Sequence, residues 1–306
     1  MRAFVFPGQG SQTVGMLADL ATEYPQIEQT FAEASEALGY DLWELVQQGP
    51  SEKLNETQRT QPALLTASVA IYRVIEAQGV PAPEWLAGHS LGEYSALVCS
   101  GAMDFADAVR LVAKRGALMQ EAVPAGVGAM AAIIGLDDAL VEEACAAAAG
   151  DQVVSAVNFN SPGQVVIAGH AEAVERAGEA CKEAGAKRAL LLPVSVPSHC
   201  ALMQPAAEKL AVELGKITLR TPNIPVVNNV DVSVEREADA IRDALVRQLY
   251  SPVRWTETIQ YLAKQGVTEL YEIGPGKVLS GLTKRIDKAL QSDAINTIES
   301  IQKVQS

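Results

Sequence analysis

Between a short apolar run, Trp85-Leu86-Ala87, and a helical stretch beginning near Glu93 lies the pentapeptide Gly88-His89-Ser90-Leu91-Gly92. No other segment restricts the fold as much. A strand that turns into a helix through a serine flanked by glycines brings backbone against backbone, and glycine permits this because it has no Cβ. The same strand–turn–helix rhythm recurs elsewhere. Phe4-Val5-Phe6 ends in Pro7-Gly8-Gln9-Gly10, and amphipathic helical stretches are expected from about Thr13 to Leu45 and from about Ala63 to Ala77. Units of this kind predict an α/β layer on a mostly parallel sheet.

One segment has a different order. From Val127 to Val194 the pattern predicts strand Ala129–Ile134, helix Asp138–Ala148, strand Val153–Val157, strand Val165–Ala168, helix Ala171–Glu183 and strand Arg188–Leu192. This βαββαβ order is ferredoxin-like and complete within the segment. Pro124 and Gly126 punctuate one border, Pro193 and Pro197 the other. The expected organisation is a larger α/β unit, residues 1–125 and 196–306, interrupted by a small subdomain over 126–195.

Charge and cysteine usage remove several functional classes. A net charge of −13 over 306 residues argues against nucleic-acid binding, which needs a basic face. Cys99, Cys145, Cys181 and Cys200 are scattered, with no CxxC pair, so neither a metal site nor a disulfide framework is expected. No signal peptide or bilayer-spanning run is read, and the cytoplasm is the expected compartment, with no membrane partner.

A nucleophilic serine on such a turn projects its hydroxyl at the N-terminus of the next helix, whose N–H groups point where oxyanion charge develops. Ser90-Leu91-Gly92-Glu93 also matches the S-x-x-E capping box, so a helix N-cap is the competing reading. Paired flanking glycines favour the nucleophile. A serine needs a base, and three histidines are available. His89 adjoins Ser90 on a tight turn, where neighbouring side chains diverge; it is expected to pack or hydrogen-bond under the elbow. His170 opens a helix of the small subdomain. His199, in Val196-Pro197-Ser198-His199 where the chain re-enters the larger unit, is the base by elimination. No nearby acid presents itself as a third member, which leaves a backbone carbonyl or an amide side chain to orient the imidazole.

Phe105–Glu121 reads as a helix whose apolar stripe contains Ala108, Leu111, Val112, Leu118 and Met119, and Arg115 falls inside that stripe. A guanidinium there needs a partner. Two readings stand open: an internal salt bridge, or a site for a free carboxylate on the substrate, which would make the acyl group a dicarboxylic half-thioester. Two glycine-rich turns carry no cofactor signal. Gly8-Gln9-Gly10 lacks the third glycine of a dinucleotide fingerprint, and Gly274-Pro275-Gly276-Lys277 lacks the spacing and hydroxyl of a phosphate loop.

With these residues in view, the chain resembles the bacterial malonyl-CoA:acyl carrier protein transacylases of fatty-acid synthesis. The resemblance runs through Pro7-Gly8-Gln9-Gly10-Ser11-Gln12, Thr60-Gln61-Pro62-Ala63, Gly88-His89-Ser90-Leu91-Gly92-Glu93-Tyr94, Val196-Pro197-Ser198-His199 and Gly274-Pro275-Gly276-Lys277. It implies an α/β-hydrolase-like domain with an inserted ferredoxin-like subdomain, in agreement with the residue pattern. It also implies Ser90 as nucleophile, His199 as base, Arg115 as ligand of the malonyl carboxylate, and backbone N–H groups of Gln9 and Leu91 as oxyanion hole. The base-orienting carbonyl falls on Gln248, and Gln61 and Asn160 fall at pocket-lining positions.

The implied reaction is ping-pong, from malonyl-CoA to the phosphopantetheine thiol of acyl carrier protein, with no metal and no cofactor beyond the coenzyme A thioester itself. The rival readings are a serine hydrolase, a polyketide-type acyltransferase or malonate-decarboxylase component, and a scaffold protein with a dead elbow. Because carrier proteins are acidic, docking calls for a local basic patch; Lys187-Arg188 and Lys284-Arg285 are candidates.

Overall fold

The computed structural model of the chain describes residues 1–194 and 196–306; Ser195, the last residue of the 126–195 segment, lies outside the described residues. In chain order the strands are β1 (Arg2–Phe6), β2 (Trp85–Gly88), β3 (Gly128–Ile134), β4 (Val154–Ser161), β5 (Gln164–His170), β6 (Arg188–Leu191), β7 (Val226–Val227), β8 (Glu269–Ile273) and β9 (Gln291–Ile295). They form two sheets.

The larger sheet has the order β7-β2-β1-β8-β9 and every pairing in it is parallel. Parallel strands need crossover helices, which cover both faces, so both sides of a central strand are apolar. In β1, Phe4 and Phe6 face one core, with helices Pro25–Leu38, Thr57–Ala77 and Phe105–Ala122. Ala3 and Val5 face the other, with Trp255, Ile259, Leu279 and Leu282. The chain leaves β1 for β2 on one side while β8 pairs on the other. The crevice beyond the carboxyl ends of β1 and β2 is therefore the natural ligand site of the layer.

The smaller sheet is antiparallel, with the order β4-β5-β3-β6. Helices Asp138–Ala149 and Ala171–Glu183 pack on one face around Ile133, Val141, Ile167 and Val174. The ferredoxin-like order read from the sequence is the order found. The opposite face, Met130, Val157, Val166 and Ala168, packs on Cys200 with Leu202 at its margin. Bulges in β4 bend it away from β5 between Ala156 and Ser161. Its free edge pairs instead with the segment after residue 248: Phe159 N–H donates to Val253 O at 3.0 Å, and Val253 N–H donates to Val157 O at 2.8 Å. The small sheet is thereby stitched beside the crevice.

The expected helix from Thr13 to Leu45 is three helices, Ala18–Glu23, Pro25–Leu38 and Leu42–Gln48. Pro25 supplies no N–H to continue the first, and Gly39 closes the second in a left-handed turn at φ 81°. The helix expected from Ala63 starts earlier, at Thr57, and carries Pro62 in its second turn. Among the described residues no helix is long and apolar enough to cross a membrane.

Candidate active site

The turn between β2 and helix Gly92–Cys99 is as tight as its glycines suggest. A Cβ on Gly92 would sit 2.1 Å from Phe6 O, and one on Gly88 would sit 1.9 Å from the Gly92 carbonyl. Ser90 itself is left-handed, at φ 53°, a conformation that costs an L-residue roughly 1–3 kcal/mol and persists only where the surroundings impose it. Its side chain caps nothing: helix Gly92–Cys99 has no side-chain cap, and Ser90 Oγ lies 2.7 Å from His199 Nε2. The capping-box reading of Ser90-Leu91-Gly92-Glu93 is overturned.

His199 reaches this point from the loop after β6. It is also left-handed, at φ 68°. The end of helix Ala238–Gln248 supplies the carbonyls that such ends leave free. His199 N–H donates to Leu249 O at 3.1 Å, and Nδ1 lies 2.7 Å from Gln248 O. A carbonyl only accepts, so Nδ1 carries the ring proton, Nε2 is the bare acceptor, and the Ser90 hydroxyl donates to it. His199 is 3% exposed. Burial and then the nearby Arg115 charge hold its pKa down at about 3, against the partial compensation of the Gln248 carbonyl. The imidazole is neutral at physiological pH.

Arg115 is 1% exposed on helix Phe105–Ala122, and it has no carboxylate at ion-pair distance among the described residues. Its Nη1 donates to Gln61 Oε1 at 2.8 Å, and its Nη2 donates to Gln248 Oε1 at 3.0 Å and to Ser90 Oγ at 3.3 Å. The guanidinium lies over the Tyr94 ring, and its Nε is buried with no partner among the described residues. The internal salt bridge, one of the two readings of Arg115, is therefore absent. Gln61 is a fully buried amide whose Nε2 donates to Thr57 Oγ1 at 2.9 Å and whose oxygen holds the guanidinium. Asn160, on bulged β4, places Oδ1 2.7 Å from His89 Nε2 and so holds the histidine under the elbow. His170 serves the small sheet, its Nδ1 accepting from Val153 N–H at 2.9 Å.

The backbone donors are distributed in a telling way. His89 N–H donates to Phe6 O, Ser90 N–H to Asn229 Oδ1, Gly92 N–H to His89 O and Gly10 N–H to Gln12 Oε1. Between these bonded neighbours, the N–H groups of Gln9 and Leu91 donate to nothing among the described residues. A Cβ on Gly8 would lie 2.6 Å from His89 O, which shows how closely the β1 and β2 turns approach.

The sequence reading did not find the parts played here by Asn229, Glu93 and the side chain of Gln248. Asn229, just beyond two-residue β7, is fully buried; its Oδ1 accepts from Ser90 N–H at 2.8 Å and its Nδ2 donates to Gly88 O at 2.7 Å, so it clamps the elbow from both sides. Glu93 Oε1 accepts from Asn229 N–H at 2.6 Å. Burial pushes the Glu93 carboxyl up to about 8, so it keeps its proton at neutral pH and does not neutralise Arg115. The Gln248 side chain donates from Nε2 to Ser90 O and to Asn229 Oδ1 while its oxygen accepts from Arg115. An Asn-Asn pair at the carboxyl end of an apolar run was the available clue to Asn229.

The described residues contain no cluster of three or more His, Cys, Asp or Glu able to hold a metal. The arrangement offers a hydroxyl on a neutral base, two vacant amide donors and an uncompensated buried cation. It can form and break an ester on Ser90 and select an acyl group that carries negative charge.

Comparison with known proteins agrees in scope. The acyl transferase domain family matches residues 3–305. The malonyl CoA-acyl carrier protein transacylase of Escherichia coli K12 is 74% identical over 294 residues, 96% of this chain and 95% of that protein. A solved acyl carrier protein S-malonyltransferase from Vibrio cholerae has a TM-score of 0.97 at 66% identity, covering 99% of both chains. A malonyl-transacylase solved in complex with a type II PKS acyl-carrier protein has a TM-score of 0.99, also at 66% identity, over 99% of this chain and 98% of that one.

Proposed function

The chain belongs to the acyl transferase domain family, and from that premise we propose that it moves a malonyl group from malonyl-CoA to the phosphopantetheine thiol of an acyl carrier protein, by way of an ester on Ser90. It supplies chain-extender units for fatty-acid synthesis. The observation that carries the choice of acyl group is Arg115, a buried cation bonded to Ser90 and to two amide oxygens but, among the described residues, to no carboxylate.

In the acylation half, the Ser90 proton passes to His199 Nε2 as Oγ attacks the thioester carbon. The Gln9 and Leu91 N–H groups receive the tetrahedral oxyanion, each worth on the order of 3 kcal/mol. The C–S bond breaks, and coenzyme A leaves as a thiol with the proton from His199. The carrier thiol then gives its proton to His199, attacks the ester carbon and takes the malonyl group, and Oγ recovers the proton. Gln248 O keeps the imidazole in the required tautomer throughout. Acyl exchange between thiol and hydroxyl is redox-neutral, so the scheme draws on no metal and no redox cofactor.

The malonyl carboxylate takes the guanidinium of Arg115, whose buried Nε has no partner among the described residues. Acetyl lacks that charge and leaves the cation uncompensated. The carrier's acidic surface is met by Lys187-Arg188 and Lys284-Arg285, all four exposed and outside the ion pairs of the described residues. On this reading the enzyme works in the cytoplasm, in keeping with its four free cysteines.

Intact mass after brief exposure to malonyl-CoA tests the proposal. Wild type should gain one malonyl group, which holo-carrier protein then removes. Ser90→Ala should gain none. Labelling that survives in Ser90→Ala would place the nucleophile elsewhere, and turnover independent of carrier would make the protein a hydrolase.

A further inference from the structure

The contact between Arg115 Nη2 and Ser90 Oγ, 3.3 Å, is more than the holding of a substrate carboxylate requires. Ser90 Oγ has one proton and two lone pairs. The proton faces His199 Nε2 at 2.7 Å, and one lone pair accepts from the guanidinium. In attack on a thioester Oγ gives up its proton and commits a lone pair to carbon. His199 then becomes an imidazolium, with a guanidinium of the same sign only one atom away and almost no solvent between them.

We propose that Arg115 latches its own nucleophile: the guanidinium holds Ser90 Oγ until a substrate carboxylate draws it away, so the acyl carboxylate sets the rate of acylation as well as the strength of binding. This rests on the reading of Ser90 as the acylated residue. Three features of the site make the latch work. Gln61 and Gln248 hold the cation through neutral amide oxygens, so its charge stays whole. The Arg115 Nε–H, buried and without a partner among the described residues, offers an arriving carboxylate a donor that need not be taken from Gln61 or Gln248. The bond to Oγ is the longest of the three guanidinium contacts and the one a carboxylate displaces most readily.

The charged and titratable groups around the dyad leave Arg115 as the source of the effect. His199 faces Arg115 from helix Phe105–Ala122 and His89 from the end of β2, and both disfavour the imidazolium. Glu93 and Tyr94, from helix Gly92–Cys99, face Arg115; both are held in their neutral forms by burial, so neither cancels its charge. Asp231, further out, is engaged by Arg247.

The test uses a substrate whose carboxylate has been removed and restores the carboxylate separately. Acetyl-CoA at saturating concentration is mixed with wild-type enzyme, and Ser90 acetylation is followed by rapid quench and intact mass, with and without sodium formate against matched sodium chloride. The bonds made and broken are those of malonyl transfer: Oγ–C forms, C–S breaks, and the proton travels through His199 to the departing thiol. The latch predicts that the saturated acetylation rate is tenfold or more below that of malonylation and rises at least fivefold, saturably, with formate. Arg115→Met should acetylate faster than wild type without formate and be unmoved by adding it. A wild-type rate that formate leaves unchanged or merely lowers overturns the latch, as does an Arg115→Met enzyme no faster than wild type. Because the formate arm needs no variant, a misfolded Arg115→Met does not blunt the test. Failure of the latch leaves malonylation of Ser90 intact, whereas failure of the transferase reading abolishes it.

Discussion

Glu93 makes the stability of the elbow depend on pH in a direction opposite to that of most carboxylates. Its side chain is 2% exposed, and burial lifts its pKa from 4.5 to about 8, against the pull of the Asn229 N–H and the Arg115 charge. In the unfolded chain the carboxyl ionises above about 4.5, while in the folded protein it keeps its proton until about 8. Folding therefore takes up one proton between those values. The contribution of Glu93 is fully present below pH 4.5 and is lost as pH rises through 8. At 1.36 kcal/mol per pH unit, one proton amounts to roughly 4 kcal/mol between about pH 5 and pH 8.

Glu93→Gln removes this titration while keeping the Oε1 acceptor for Asn229 N–H. Equilibrium urea unfolding of both proteins, at unit steps across that interval, isolates the term, because all other titrating groups, including buried Glu272, contribute equally to each. The stability of wild type relative to the variant should fall by several kcal/mol as pH rises. Parallel curves would show that the Glu93 carboxyl is ionised in the folded state, and with it the claim that Arg115 stands uncompensated would fail.

Gln61→Glu places a carboxylate at the position of the oxygen now 2.8 Å from Arg115 Nη1; malonyl transfer should lose at least a hundredfold in kcat/KM while folding is retained, measured by steady-state transfer to holo-carrier and by urea unfolding. Asn229→Ala strips the acceptor from Ser90 N–H and the donor from Gly88 O, which should destabilise the fold by about 2–3 kcal/mol and lower kcat with KM for malonyl-CoA little changed. Equal effects on kcat and KM would show that Asn229 acts on binding. Reversing Lys284 and Arg285 to Glu should raise KM for the carrier protein and make it less sensitive to salt, while the acylation burst from malonyl-CoA stays at the wild-type rate. An unchanged KM would move the docking surface elsewhere.

What could be read from the sequence follows the range of the interactions involved. The elbow at Gly88 to Gly92 and the βαββαβ order were legible because they depend on local rules: residue size at a turn, and alternation of apolar residues along a strand or helix. Arg115 was legible as an anomaly, a charge in an apolar stripe, but whether it was paired could not be read. Its candidate partners lie 54 and 133 residues away and prove to be amides, which leave no charge pattern to notice. Glu93 was visible only within the competing capping-box reading, because S-x-x-E describes a helix start equally well whether the glutamate reaches back to the cap or across to Asn229. The break of the 13–45 stretch was also underweighted, since the amphipathic period continues through Pro25 and Gly39 even though the backbone cannot.

The use of amides around Arg115 follows from what the site must leave undone. A buried guanidinium needs acceptors, and carboxylates would be the stronger ones. One carboxylate in place of either amide, or an ionised Glu93, would cancel its charge and leave none with which to select a dicarboxylic acyl group. Gln61 and Gln248 supply oxygen without charge, and burial keeps Glu93 protonated, so the positive charge of Arg115 is preserved in the buried site, as the proposed recognition of a substrate carboxylate requires. Gln248 also joins this to catalysis through one short span of chain. Its backbone carbonyl sets the tautomer of His199, its side-chain oxygen holds Arg115, and its amide nitrogen ties the carbonyl of Ser90. His199, Ser90 and Arg115 thus share a mount at the end of one helix, and under the proposed roles a displacement of Arg115 by substrate is felt at the Ser90–His199 pair without any longer path through the fold.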